Sequence, residues 1–426
     1  MITPTTFRLG LMMFLQFFIW GAWYVTIGNF LEAREMGDWV GWAYTIAPIA
    51  AVVSPFFLGM IADRYFASER VLGVMHLLGG AVMLAVPAVV DMGPNVVIGL
   101  LFVHTLCYMP TLGLTNTLTF HNIVNQEREF PFIRVFGTVG WIVAGIYVSK
   151  YLKADTDVSQ FYVTGGAAIL LGLYSFTLPH TPPPAAGKEA SVREILGLDA
   201  LALMKQPSFA VFIVASFLIC IPLAAYYAFA PIYTGKVGFD EPAYVMSYGQ
   251  MSEIFFMLAM PLFFAFLGVK WMLVVGMAAW VLRYGLFAAA DGSDVQWMVF
   301  SGILLHGICY DFFFVTGFIY TDKKCDKQIR GQAQGLLVLI TQGLGLGIGA
   351  QIVAKIKESY TTTVDEQTIV DWYSIWMIAS VAAGAIMVLF LILFHDRVAV
   401  SDEDKPAVSD ADVAEGWSSS VRTGEV

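Results

Sequence analysis

Charge is what this sequence has least of. Of 426 residues, 13% are Asp, Glu, Lys or Arg, about half the ~25% that a soluble globular chain carries. With 58% hydrophobic residues and a mean hydropathy of +0.71, a water-soluble domain of this length is excluded. Cysteine is also scarce. Cys107, Cys220, Cys309 and Cys325 are scattered, three of them in apolar stretches, so neither a disulfide framework nor a metal-ligand spacing is present. The six histidines form no metal-spaced pair, and neither a resident metal nor any other cofactor is expected. The first apolar stretch, Leu9 to Leu31, lacks a small-residue cleavage site and is too long for the apolar core of a signal peptide, so it reads as a first membrane span.

What is present is a succession of apolar runs, each of about 18–25 residues and long enough to cross a bilayer. They predict an all-α membrane protein with twelve spans, near 8–32, 40–62, 71–91, 96–120, 131–150, 160–178, 208–234, 245–267, 270–289, 296–320, 332–355 and 371–394. One longer polar connection, "PHTPPPAAGKEASVREILGLDALALMKQ" at 179–206, divides them into six and six. The expected organisation is an N-terminal six-helix bundle (1–178), a cytoplasmic linker (179–206), a C-terminal six-helix bundle (207–395) and a tail (396–426). The tail holds half of the net charge of −10 and is polar and poor in bulky apolar residues, as a disordered segment is.

Basic residues set the orientation. With both termini cytoplasmic, the inside loops and tails hold about 15 Lys and Arg, the outside loops about 6. A weak internal repeat, "PFFLGMIADRYFASERVLGVM" from Pro55 against "PLFFAFLGVKWMLVVGM" from Pro261, overlays spans 2–3 on spans 8–9. Two parallel six-helix repeats are the arrangement of the major facilitator transporters. "GMIADRYFASER" (59–70) resembles that superfamily's loop motif, in which Gly59 allows close helix approach and Asp63 and Arg64 bridge helix ends during gating. "GLGLGIGA" (343–350) has no preceding strand and so is no nucleotide loop. Its pairs Gly343/Gly347 and Gly345/Gly349 fit helix packing instead.

Four ionisable residues lie inside predicted spans: Arg134, Glu253, Arg283 and Asp311. A charge at mid-bilayer costs roughly 2.5–3.5 kcal/mol on insertion scales, so such residues face a cavity or one another. Arg134 is expected to pair with Asp311 or Glu253, either of which is suited to carry a proton, while Arg283 on a peripheral span is expected to be structural. Polar and aromatic residues share their faces. Thr138 and Trp141 follow Arg134 at i+4 and i+7, Gln250 precedes Glu253 by three, and His306 and Tyr310 are i, i+4 beside Asp311. Tyr226 and Tyr227 follow Pro222. Stacking rings with amide and carboxylate groups suit a planar polar solute such as a nucleoside. An intramembrane enzyme would need a Ser–His or paired-Asp arrangement or a metal-spaced His pair, and none is seen, so the chain is read as a transporter. A receptor that binds without net flux is the other class.

Several strings carry a resemblance: "LQFFIWGAW" (15–23), "YMPTLGLTNTLTF" (108–120), "FPFIRVFGTVG" (130–140), "FTLPH" (176–180), "ILGLDA" (195–200), "AWVLRYGLFA" (279–288) and "YDFF" (310–313). They resemble the nucleoside:proton symporter family, the bacterial nucleoside permease branch of the major facilitator superfamily. The resemblance implies nucleoside uptake coupled to inward proton flow, in the cytoplasmic (inner) membrane, by a monomer whose partners are substrate, proton and lipid, with no nucleic acid. It assigns substrate contacts to Arg134, Thr138, Trp141, Gln250, Glu253 and Tyr310 with Asp311. The shared polar and aromatic faces add Tyr227 and His306, the latter standing where the family has a tyrosine, and the buried carboxylates Glu253 and Asp311 are the candidates for proton coupling. The seventh span departs: "PLAAYYAFAP" has Ala224 and Tyr227 where the family carries amides. A symporter of a sugar, an oligosaccharide or a modified nucleoside is therefore the alternative.

Overall fold

A computed structural model describes residues 3–54, 65–124, 126–183, 198–290, 295–326, 329–365 and 367–396. Helix dominates. The chain runs through α1 (Pro4–Tyr24), α2 (Ile27–Ala33), α3 (Val40–Ser54), α4 (Ser68–Val89), α5 (Pro94–Asn122), α6 (Gln126–Gly145), α7 (Ser159–Ser175) and α8 (Pro207–Lys236). It continues through α9 (Pro242–Ala290), α10 (Gln296–Leu304), α11 (His306–Tyr310), α12 (Thr316–Lys324), α13 (Arg330–Val338), α14 (Leu346–Ser359) and α15 (Trp372–Leu393). Local chemistry starts several of them. Pro4 occupies the first turn of α1, where its missing N–H costs nothing, and the Thr3 hydroxyl accepts from the Thr6 N–H at 3.1 Å. Asp371 caps α15 in the same way.

Among the described residues, nine helical stretches are long and apolar enough to cross a membrane. One of them, α9, has 49 residues. At 1.5 Å per residue it would measure roughly 70 Å, over twice a hydrocarbon core of ~30 Å. It is two helices meeting at Gly268, whose φ of 63° is open to glycine at little cost. Met260 and Met272, on either side of that kink, pack in one cluster with Phe312.

The structure departs from the sequence reading in two further respects. Three π-helical segments, Ile146–Tyr151, Asp311–Val315 and Leu339–Gly345, interrupt the α-helices. A two-stranded antiparallel sheet, β1 (Thr361–Val364) with β2 (Gln367–Val370), pairs Thr361 with Val370 where only a loop was read. Gly59, Asp63 and Arg64, most of the linker, and the tail from 397 onward lie outside the described residues.

Helices before residue 176 pack chiefly on one another, as do those after 206, and the two sets meet along α3–α14, α6–α9 and α2–α8. Glycine makes each meeting close. A Cβ on Gly41 would lie 2.5 Å from Ala354, one on Gly145 2.7 Å from Ser247 Oγ, and one on Gly28 3.1 Å from the Ala228 carbonyl. The helix-14 region uses both of its small-residue pairs: Gly343 and Gly347 face Val52 and Pro48, and Gly345 and Gly349 face Cys220 and Ala224. Polar contacts between the sets reinforce one end of the molecule. Lys357 pairs with Glu32, the Gln351 amide donates to Thr45 Oγ1 at 2.8 Å, and the Ala243 N–H donates to Asp155 at 3.3 Å. At the other end, hydrogen bonds among the described residues stay within a set, as in His180–Glu69 (2.9 Å) and Lys324–Asp396 (2.5 Å).

Candidate functional site

A cavity of about 140 Å³ lies between the two sets. α6 contributes Arg134, Thr138 and Trp141, which share a face at i, i+4 and i+7. α1 contributes Phe17, Trp20 and Tyr24. These two helices touch because α6 has no side chain at Gly140, where a Cβ would run into the Phe14 carbonyl, and because α1 has none at Gly21, where a Cβ would lie 3.0 Å from the Trp141 carbonyl. The Arg134 guanidinium sits 4.2 Å over the Phe17 ring. Behind α1 a buried network fixes its register: Gln16 donates to Thr111 at 2.7 Å and meets His76 at 2.8 Å, while the Tyr108 hydroxyl donates to the Gln16 carbonyl at 2.6 Å.

The opposite wall comes from the second set. α9 supplies Gln250 and Glu253, α11 His306 and Tyr310, and α8 Tyr227, with Gln342 and Leu346 closing the lining. α9 and α11 are in backbone contact. A Cβ on Gly307 would lie 2.6 Å from the Ser252 carbonyl, one on Gly249 3.1 Å from His306 Cβ, and the Gly307 N–H donates to Ser252 Oγ at 3.0 Å. This contact brings His306 Nε2 to 3.7 Å from Glu253 Oε2. Rings join the walls: Trp20 lies 5.5 Å from Trp141, and Tyr24 is 6.4 Å from Trp141 and 6.3 Å from Tyr227. The cavity is smaller than the roughly 300–1,000 Å³ of ordinary ligand pockets because those rings meet across it.

Eight of the side chains expected to contact substrate, Arg134, Thr138, Trp141, Tyr227, Gln250, Glu253, His306 and Tyr310, line this one cavity. Five lining residues were missed. Phe17, Trp20 and Tyr24 sit in a uniformly apolar span that gives no sign of which face is inward, and Gln342 and Leu346 belong to the glycine-rich run read as packing. The expected ion pair is corrected. Neither Glu253 nor Asp311 lies within ion-pair distance of Arg134, which rests on Phe17 instead. Asp311 is fully buried off the cavity at the start of a π segment, and neither carboxylate oxygen has a hydrogen-bond partner among the described residues. Tyr226 likewise turns away from the cavity, stacking on the back of His306 at 5.4 Å. The four cysteines are free, and the described residues hold no cluster of three His, Cys, Asp or Glu fit for a metal.

A larger apolar groove of about 840 Å³ runs between α3 and α14, where Trp42, Ile49 and Ile348 are exposed and Lys355 is the one charged lining residue. It lacks the convergent polar groups of a recognition site.

Membrane-length apolar helices around a cavity walled by rings and lined by an arginine, a glutamate and two amides define a multi-pass membrane transporter. Comparison with known proteins agrees. Residues 3–398 match the nucleoside H+ symporter family, and the chain belongs to that family. It is 39% identical to the putative nucleoside transporter YegT of Escherichia coli (strain K12), over 96% of this chain and 98% of that protein. It is 31% identical to the xanthosine permease of the same organism, over 91% and 96%. The crystal structure of the nucleoside transporter NupG superposes with a TM-score of 0.82 at 28% identity, covering 93% of this chain and all of that one.

Proposed function

We propose that this protein imports nucleosides together with protons across the cytoplasmic membrane, by alternating access of two six-helix bundles (1–178 and 207–395) with both termini inside. The observation that carries this reading is the cavity between the two helix sets, where eight polar and aromatic side chains from four helices converge. Rings stack on the base: Trp141, Tyr227 and Tyr310 each present a face. Arg134, Thr138 and Gln250 bond the sugar hydroxyls and base edge, and Glu253 accepts from a hydroxyl. In this topology the end fastened by Lys357–Glu32 and Asp155–Ala243 is periplasmic, so the conformation is closed to the outside.

Proton coupling falls to Glu253 and Asp311. Glu253 shares the cavity with Arg134, so substrate that engages Arg134 changes the field at the carboxyl. Asp311 is buried without a hydrogen bond, a setting in which an ionised carboxylate costs several kcal/mol and a protonated one much less. A cycle in which Asp311 gains solvent in one conformation and loses it in the other moves a proton with each turn.

The test is uptake of radiolabelled uridine and adenosine into proteoliposomes, with and without an inward proton gradient. Uptake that rises with the gradient and collapses with a protonophore supports the reading. Folded protein that takes up neither nucleoside, yet takes up a sugar or a modified nucleoside, would assign the site to the alternative substrate that Ala224 and Tyr227 leave open.

A further inference from the structure

Arg283 is a buried charge that the proposed cycle does not use. It lies on the second half of α9 and is 0% exposed. Its Nε donates to the Gly302 carbonyl at 3.0 Å, while Nη1 and Nη2 have no hydrogen-bond partner among the described residues. What its guanidinium does meet is the face of Tyr226, at 4.1 Å from the ring centroid. The same ring stacks on His306, whose imidazole lies nearly parallel to it, with centroids 5.4 Å apart and planes at 17°. The Tyr226 hydroxyl is itself without a partner, so Tyr226 acts here through its ring. His306 Nδ1 is unpartnered too, and Nε2 points to Glu253 at 3.7 Å. Four side chains thus run in series, Arg283 to Tyr226 to His306 to Glu253, from the packed interior to the cavity.

We infer that Arg283 is a positioning residue for proton coupling: it clamps the Tyr226 ring, which holds the His306 imidazole against Glu253, so that the carboxyl's partner is fixed from behind by a group that never meets substrate. Two arguments favour this over space-filling. An apolar side chain of similar volume would pack the α9–α10 contact without burying a charge, and such replacements are often neutral or stabilising. A guanidinium anchored through Nε to the Gly302 carbonyl, with its Nη groups left to a ring face, is instead suited to orienting that ring. The groups facing His306 are Glu253 and Arg283 from α9, Tyr226 and Tyr227 from α8, and Tyr310 from its own helix, with Arg134 across the cavity.

The inference rests on the reading of Glu253 as a coupling group, and the experiment separates the two. Purified protein and its Arg283→Gln, Arg283→Lys and Tyr226→Leu variants are reconstituted, and gradient-driven uridine uptake is compared with uridine exchange at equal pH on both sides. In Arg283→Gln and Tyr226→Leu, driven uptake should fall about tenfold further than exchange, the scale of a lost coupling between sites. Arg283→Lys, which keeps a cation for the ring, should recover much of the difference. Driven uptake and exchange falling in equal proportion in both variants would make Arg283 merely structural and overturn the inference. Full gradient stimulation in both variants would overturn it too. Absence of gradient stimulation in the unsubstituted protein would instead remove the coupling reading, and this inference with it.

Discussion

Arg134 illustrates how a permanent charge is tolerated inside an apolar span. Its side chain lines the cavity and its guanidinium lies on Phe17, so part of its cost is met by a ring face. Because its contact is a ring face and it holds no ion pair among the described residues, Arg134→Ala should yield folded, monodisperse protein whose uridine uptake is about ten- to a hundredfold lower, the value of one or two charge-assisted hydrogen bonds. Uptake assays alongside size-exclusion chromatography check both parts. Asp155 is the converse case, outside the spans. Burial raises its carboxyl above the usual aspartate range, in spite of hydrogen bonds from Ser149 Oγ at 2.6 Å and the Ala243 N–H at 3.3 Å, and Glu241 adds to the rise. A raised acid stabilises the closed arrangement fully below the ordinary value of about 3.9 and loses that contribution as pH climbs through the raised value. Thermal stability should therefore decline over that interval, and Asp155→Asn, which keeps an acceptor for Ala243 without a charge, should flatten the decline.

At the scale of elements, one glycine decides whether the site exists. Gly307→Val would drive a side chain into the Ser252 carbonyl, part α11 from α9 and separate His306 from Glu253. The expected outcome is a stability loss of about 1–3 kcal/mol together with loss of uptake. Gly113 on α5 has nothing within 4 Å of a built Cβ, so Gly113→Ala should leave the melting temperature unchanged or raise it slightly. A comparison of the two melting curves checks the pair. The same contrast explains what the sequence made legible. Hydropathy located the helices because a bilayer demands long apolar runs, and i, i+4, i+7 spacing gathered Arg134, Thr138 and Trp141 because helix geometry leaves no other choice. The inward face of α1 was illegible, since Trp20 and Tyr24 are no more apolar than their neighbours. The approach of Gly21 and Gly140 to the facing backbone, with the Gln16 network behind, selects that face. The Arg134–Asp311 pair failed for a related reason. Asp311 follows Tyr310 by one residue, about 100° further around the helix, so with Tyr310 on the cavity Asp311 is turned off it. The hairpin at 361–370 did leave a signal in its β-branched "TTTV" and "TIV" around Asp365, which adopts a φ of 47°.

For the molecule as a whole, the two helix sets touch through glycine at Gly28, Gly41 and Gly145. If the sets rock, these contacts must break in every cycle. Gly145→Cys with Ser247→Cys should therefore cross-link under mild oxidation and stop uptake, which a reductant restores; undiminished uptake by the cross-linked protein would show that the sets do not separate there. The choice of glycine also bears on speed. A seam of glycine against backbone and small side chains such as Ala354 and Ser247 has few rotamers to freeze when it shuts. What remains to hold it are a few hydrogen bonds, worth about 0.5–1.5 kcal/mol each, and a rim ion pair, worth about 0–1 kcal/mol. Under the proposed cycle, a gap of that size would leave the alternate state populated at roughly 0.1–10% without any ligand. The door is built light enough for a single small molecule to tip it.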